Sequence, residues 1–483
     1  MQESLFRKFI NFAYGSVAIV LISFISIPLL TRILTPEEYG NYSLFVITSN
    51  IFSIIILFGF DQSFVKFYNE EKVENRSTLL YRCMIIPLVI SGLIPLLYLM
   101  FLKVFNYGGI GSQSTNFLLI INSLFLAANT FLLLVTRMQQ KGKLYSVLLV
   151  TNKSLFLFFI LILLVLKTGS ISLETVLYFM VIGNFLTLLI AILIEKQFLN
   201  PKTITKVNLT SFPKLTHFAV PMLISLLVNL IFQTLDRFSL KLWASDAELG
   251  IYSAAMTLAG MLSIIQSSFT TFWTPVAFQR YNDNPADKVF FERINYIISF
   301  CMLQIGVLSI VSKNLFVLFL GESFRNASFI IPFLIFFPIL NTVSETTQIG
   351  INFKNKPKFH VFVSIITLAC NVILLFILVP RIGAKGASIS IGFSYIIFFL
   401  LKTIFSQKLI KYNFEIRKFM IALSLLTFYA FYSTFVTYNI SHIFFGIVLI
   451  VVYSLLYRRV FSLIHEYLLA IYIKKSKHTS TNS

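Results

Sequence analysis

The feature that most limits what this chain can fold into is a succession of long apolar runs. A helix needs about 20 mostly apolar residues to cross a bilayer. Fourteen such cores can be read, near 9–31, 43–65, 79–102, 115–136, 145–166, 173–194, 216–239, 251–276, 291–312, 327–351, 359–380, 384–405, 416–437 and 440–461. The second, eighth and tenth are interrupted by polar residues. The composition agrees with lipid as the main solvent. Of the 483 residues 57% are hydrophobic and 12% charged, against about 25% charged in soluble domains. The predicted class is an all-α integral membrane protein of about fourteen spans. The longest connection runs from Glu195 to Lys214, and none is long enough for a folded catalytic domain.

The net charge of +20 would suggest nucleic acid in a soluble protein. Here its placement matters more than its sum. With the N-terminus inside, 29 of the 39 Lys and Arg fall on the cytoplasmic side and nine outside, with Lys153 left within a span. That bias follows the positive-inside rule. It predicts both termini in the cytoplasm, accounts for the charge by topology, and argues against a nucleic-acid partner. The first apolar run lacks a cleavage pattern and reads as a retained helix. Cys83, Cys301 and Cys370 show no paired spacing, so neither a disulfide nor a metal site is implied. There is no GxxxxGK[ST], no HExxH and no nucleophile–base constellation, and no cofactor is called for.

An internal repeat is legible. Thr31-Arg32 recurs as Asp236-Arg237, Glu38 to Ser43 as Glu248 to Ser253, Tyr68-Asn69-Glu70 as Tyr281-Asn282-Asp283, and Lys167 with Gly169 as Arg381 with Gly383. The offset grows steadily from 205 to 214, as small insertions in the second half require. Six helices per copy is an even number, so the copies run parallel. Transporters built this way place the substrate path between their halves. The predicted organisation is a six-helix lobe at 1–200, a second at 201–410, helices 13 and 14 within 411–462, and a basic cytoplasmic tail at 463–483.

Ionisable groups inside a bilayer are costly and mark function or pairing. Lys153 lies near mid-span. Arg32 and Asp236-Arg237 occupy matching outer ends of helices 1 and 7, as interfacial anchors or as a cationic lining with Asp236 holding one arginine. Asp61 lies toward the inner end of helix 2, where it is either a partner of Lys66 or a proton or cation site. Ser225, Asn229 and Gln233 form a polar stripe on helix 7 with Asp236. Asn341, Glu345, Gln348 and Asn352 form another on helix 10. Each stripe suits either inter-helix hydrogen bonding or a watery cavity. Glu345 inclines helix 10 toward the cavity.

The run IPLLTRILTPEEYGNYSLFVITSNIFSIIILFGFDQSFVKFYNE, Ile27 to Glu70, resembles the opening of Wzx-like bacterial polysaccharide flippases. These form a branch of the multidrug/oligosaccharidyl-lipid/polysaccharide (MOP) exporter superfamily. LDRFSLKLWASDAELGIYSAA (Leu235 to Ala255), FWTPVAFQRYND (Phe272 to Asp283) and GAKGASISIGFSY (Gly383 to Tyr395) are similar to the same family. The resemblance implies two six-helix lobes with two peripheral helices. It implies translocation of an undecaprenyl-pyrophosphate-linked oligosaccharide, of O-antigen or capsule type, across the bacterial inner membrane. Alternating access coupled to an ion gradient, and polymerase and chain-length partners, belong to the same picture. On it, Arg32, Lys153 and Arg237 would meet the pyrophosphate. Asn229, Gln233, Asn341 and Gln348 would face the sugars, and Asp61, Asp236 and Glu345 would serve coupling. The rivals are a multidrug or cation antiporter of the same fold, which calls for a more acidic cavity, a membrane enzyme, which calls for a larger outer loop, and a structural scaffold, for which intramembrane charge has no use.

Overall fold

A computed structural model describes residues 18–19, 21–104, 111–166, 171–200 and 210–462. Within them the chain is helical and has no strand. Ten helices are long and apolar enough to cross a membrane, or eleven if one pair bent by 54° counts as a single span. One of the ten, a 52-residue helix with an internal break, covers two of the predicted cores, and two shorter apolar helices occupy the first and last. The tail at 463–483 and the Lys167/Gly169 arm of the repeat lie outside the described residues.

The chain divides into two compact units. One comprises residues up to Lys241 together with Ser245–Ser253, and the other comprises Leu242–Ala244 and the chain from Ala254. The first unit opens with α1 (Leu21–Ile33) and α2 (Pro36–Leu57). Thr35 starts α2 with a capping box. Its hydroxyl accepts from the Glu38 amide at 3.3 Å, and the Glu38 carboxylate accepts from the Thr35 amide at 2.9 Å. The predicted second helix therefore begins seven residues earlier than its apolar core, because capping chemistry and not hydropathy sets the start. It also breaks, at Phe58 and Gly59, which both take positive φ, before α3 (Phe60–Phe67). Gly59 is required twice over. Its φ is +75°, and a Cβ there would lie 2.2 Å from the Ala219 carbonyl oxygen.

α4 (Arg76–Val104), α5 (Gln113–Met138), α6 (Gly142–Leu166), α7 (Leu173–Ile194) and α8 (Phe212–Trp243) follow. α5 packs along α2 and α7, and α6 packs on α7. Lipid offers apolar side chains no incentive to leave it, so polar contacts help fix helix pairing. Here the fixing residues are asparagines. Asn152 of α6 donates to Asn184 of α7 at 2.6 Å. Asn184 donates to Asn122 of α5 at 2.7 Å, and Asn129 donates to the Asn184 carbonyl at 3.0 Å.

The repeat shows itself where α9 (Asp246–Gly260) begins. Ser245 accepts from the Glu248 amide at 3.2 Å, matching the Thr35–Glu38 cap 210 residues earlier. The two helix starts touch. A Cβ on Gly40 would lie 2.3 Å from the Asp246 carbonyl oxygen, and one on Gly250 would lie 1.8 Å from that of Pro36. Pro36 and Asp246, like Gly40 and Gly250, are repeat mates, so the contact is isologous, as a local two-fold demands.

The second unit continues with α10 (Ser263–Asp283), α11 (Lys288–Val311) and α12 (Lys313–Leu318). The expected eighth span is thus broken at Met261–Leu262, and the tenth is broken more thoroughly. A 3₁₀ turn (Glu322–Phe329) leads into α13 (Ile331–Leu334), α14 (Phe336–Thr347) and α15 (Ile349–Phe353), with Pro332 restarting the chain at α13. α16 (Lys358–Leu409) joins the expected eleventh and twelfth helices. Its helical geometry fails at Ile382 and at Gly383, whose φ is 52°. α17 (Ile416–Phe435) and α18 (Ile440–Leu456) complete the unit. α14 packs on α11 and α16, and α18 packs on α11. All three cysteines are free thiols.

Candidate functional site

In the first unit, α8 carries the polar stripe on an open face. Ser225, Asn229 and Gln233 are exposed, and the Gln233 amide donates to the Asn229 side chain. None of the three is spent on a neighbouring helix. One turn on, Arg237 is half-buried. Its guanidinium donates to the Gln233 carbonyl at 3.2 Å, while its buried Nε has no partner. Asp236 does not hold this arginine. It is buried, accepts from the Arg237 amide at 2.9 Å, and takes the Tyr252 hydroxyl on its other oxygen. A carboxylate satisfied in this way is a positioning element: it fixes the turn of α8 on which Arg237 sits. Sequence patterning alone does not single out Tyr252. Its place in the repeated Glu-Leu-Gly-Ile-Tyr-Ser segment is the available signal.

Lys153 is exposed, 11 residues into α6 and so about 16 Å from that helix's start at 1.5 Å per residue. The cause is next to it. Asn152 is bonded to Asn184 at 2.6 Å, which fixes the rotation of α6, and successive residues project about 100° apart. Arg32 is exposed at the end of α1. Asp61 is buried in the first turn of α3, with one oxygen accepting from Gln62 at 2.6 Å and the other unpartnered. It does not pair with Lys66, whose ammonium lies over the Phe218 ring at 4.2 Å. Lys141, one of the topological charges, also serves the fold, because its ammonium meets the buried Glu195 at 3.2 Å.

In the second unit the helix 10 stripe behaves differently. Gln348 is buried, accepts from the Lys402 ammonium at 2.6 Å and donates to Glu345 at 2.7 Å. It therefore links an acid and a base; it does not line an open cavity, and inter-helix bonding is the reading the geometry supports for it. Asn352 meets His360 at 2.8 Å, and Asn341 is half-exposed. The charge count groups Lys402 with the cytoplasmic loop cations. The structure buries it on α16, on the face that also buries Phe399, Thr403 and Ser406, and that periodicity is the signal that could have found it. Six of the ten candidate residues thus fall into two groups, Asn229, Gln233, Asp236 and Arg237 on α8, and Glu345 with Gln348 at α14 and its junction with α15; no bond among the described residues joins Arg32, Lys153, Asp61 or Asn341 to either.

A family model described as polysaccharide biosynthesis protein matches residues 5–280. The chain belongs to that family. No curated protein matches it. Among solved structures, a lipid II flippase, MurJ, in an inward closed conformation, is 16% identical, with 94% of this chain and 100% of that chain covered and a TM-score of 0.64. An inward-facing multidrug resistance MATE family transporter of the MOP superfamily is 12% identical, with 84% and 96% covered and a TM-score of 0.52. A MATE in the bent conformation is 13% identical, with 86% and 96% covered and a TM-score of 0.51. At these identities the likeness is one of fold. This family member is a multi-pass membrane protein with the MOP fold.

Proposed function

We propose that this chain is a flippase, not an enzyme. Its substrate on this reading is an undecaprenyl-pyrophosphate-linked oligosaccharide of O-antigen or capsule type, carried across the bacterial inner membrane by alternating access. The lobes are residues 1–200 and 201–410, the helices of 411–462 lie outside the repeat, fourteen helices cross the bilayer, and both termini are cytoplasmic. The observation that carries the reading is the open polar face of α8, where Asn229 and Gln233 lead to Arg237 on a helix otherwise apolar enough to span. Sugar hydroxyls need amide partners and a pyrophosphate needs cations. Arg237, Arg32 and Lys153 supply positive charge that no described carboxylate neutralises. The family and the lipid II flippase fold support a lipid-linked substrate.

Coupling to an ion gradient belongs to the same reading, with Glu345 as its carrier. Glu345 and Lys402 sit at the two ends of the Gln348 amide, so a proton gained or lost by the acid alters a bonded network that spans α14 and α16. Asp61, with its unpartnered buried oxygen, is the corresponding candidate in the first unit. Polymerase and chain-length proteins of a glycan pathway are the partners this function calls for.

The test is complementation of a flippase-null strain at matched membrane levels of protein. A charge-assisted hydrogen bond contributes about 1.5–3 kcal/mol, and about 1.4 kcal/mol is tenfold. Arg237→Ala and Lys153→Ala should each lower export by roughly one to two decades, with Arg237→Lys and Lys153→Arg retaining more. Lys143→Ala, an exposed cation at the start of α6, should change little. Full export in both alanine variants would remove these residues from the site. Efflux of organic cations without glycan export would favour the antiporter.

A further inference from the structure

The second unit contains a basic cavity that plays no part in the transport path proposed above. It is a wide, open basin of about 730 Å³. Lys288, at the start of α11, Lys408, at the end of α16, and Lys411, just beyond it, line it together with Ile404. All three lysines are exposed, and none makes an ion pair among the described residues. The one carboxylate in the lining, Glu292, is engaged by the Asn413 amide at 2.7 Å. By the charge distribution, this end of the unit faces the cytoplasm.

We propose that this cavity binds the headgroup of an anionic phospholipid from the adjacent leaflet. Three cations without a carboxylate partner call for an anion, and basic pockets between spanning helices are suited to acidic headgroups. The apolar side chains at the cavity separate a lipid from a free phosphate. Ile404 and Ile416 are both in the lining, and Ile404 is 47% exposed on the flank of α16, so acyl chains can leave the cavity along apolar helix. The lining also suits a plain phosphodiester better than a glycan. Lysines act as point charges without the arginine fork. The Gln407 amide is spent at both ends on the Tyr412 backbone, at 2.7 and 3.2 Å, and is closed to sugar hydroxyls.

The experiment titrates the purified full-length protein in micelles with phosphatidylglycerol or phosphatidylcholine and counts bound lipid by native mass spectrometry. Wild type should prefer phosphatidylglycerol. Each lysine near an anionic lipid contributes about 1 kcal/mol, a factor of about five, so the combined Lys288→Ala, Lys408→Ala and Lys411→Ala protein should bind about a hundredfold more weakly. The control carries Lys354→Ala, Lys356→Ala and Lys358→Ala, three exposed lysines outside the cavity, and should bind like wild type. If the triple variant is lost on purification, Lys408→Gln alone should show the fivefold effect. Equal loss in both triple variants, absence of headgroup preference, or displacement by the same concentration of inorganic phosphate would overturn the proposal. So would tighter, lysine-dependent binding of a polyprenyl pyrophosphate, which would make the cavity a landing place for substrate. Because none of these readings involves Arg237 or Lys153, the lipid site can fail while the flippase assignment stands.

Discussion

Replacing Gly250 with alanine probes the contact on which the repeat closes. In an ordinary helix the change is favourable, by up to about 1 kcal/mol. Here the added Cβ would lie 1.8 Å from the Pro36 carbonyl oxygen and 3.0 Å from the Gly40 nitrogen. Ordinary contact begins at 3.4 Å, so the starts of α2 and α9 would have to part by about 1.6 Å. Both neighbours are backbone and cannot rotate away. Overpacking of this kind costs about 1–3 kcal/mol, and the severity of this overlap argues for the upper end. At about 2–4 °C per kcal/mol for a unit of this size, the melting temperature should fall by roughly 4–10 °C. The assay is thermal unfolding of the full-length protein in detergent, followed by size exclusion of the surviving fraction. Gly92→Ala is the internal standard. It lies inside α4, where its added Cβ would meet nothing within 4 Å beyond the local backbone of its own helix, and it should be neutral or slightly stabilising. Gly40→Ala, at 2.3 Å from the Asp246 oxygen, should resemble Gly250→Ala. The double variant should cost less than the sum, since both substitutions open one contact. A Gly250→Ala protein as stable as Gly92→Ala would refute the isologous contact.

Two further outcomes follow from the site geometry. In a background free of native cysteines, Asn229→Cys should react with a small water-soluble thiol reagent while Gln348→Cys stays protected, since the first is exposed and the second buried against Lys402; equal rates would contradict the difference between the two stripes. Asn184→Ala should lower thermal stability by about 1–3 kcal/mol, because it removes two side-chain bonds at about 0.6–2 kcal/mol each between α5, α6 and α7; an unchanged melting temperature would show that apolar packing alone holds those helices.

Hydropathy is enough to establish the helical membrane class and the approximate places of the spans within the described residues, but not the breaks at Phe58–Gly59, at Met261–Leu262 and between Glu322 and Phe353. The reason is that hydropathy acts locally: a run of about 20 apolar residues carries its own instruction, whereas the start of α2 at the Thr35 cap lies outside that signal. The destination of each polar side chain is set by how the helices pack. Asn229 and Gln348 are both amides in polar stripes on apolar helices, yet one is exposed and the other is clasped by Lys402 from a residue 54 positions away. Asp236 lies beside Arg237 in the chain, but its second oxygen is taken by Tyr252 from the next helix. Lys153 is exposed because Asn152 finds Asn184, a partner 32 residues distant that no local pattern names. A polar group inside a bilayer must find a partner or water, and helix packing determines which of the two is within reach.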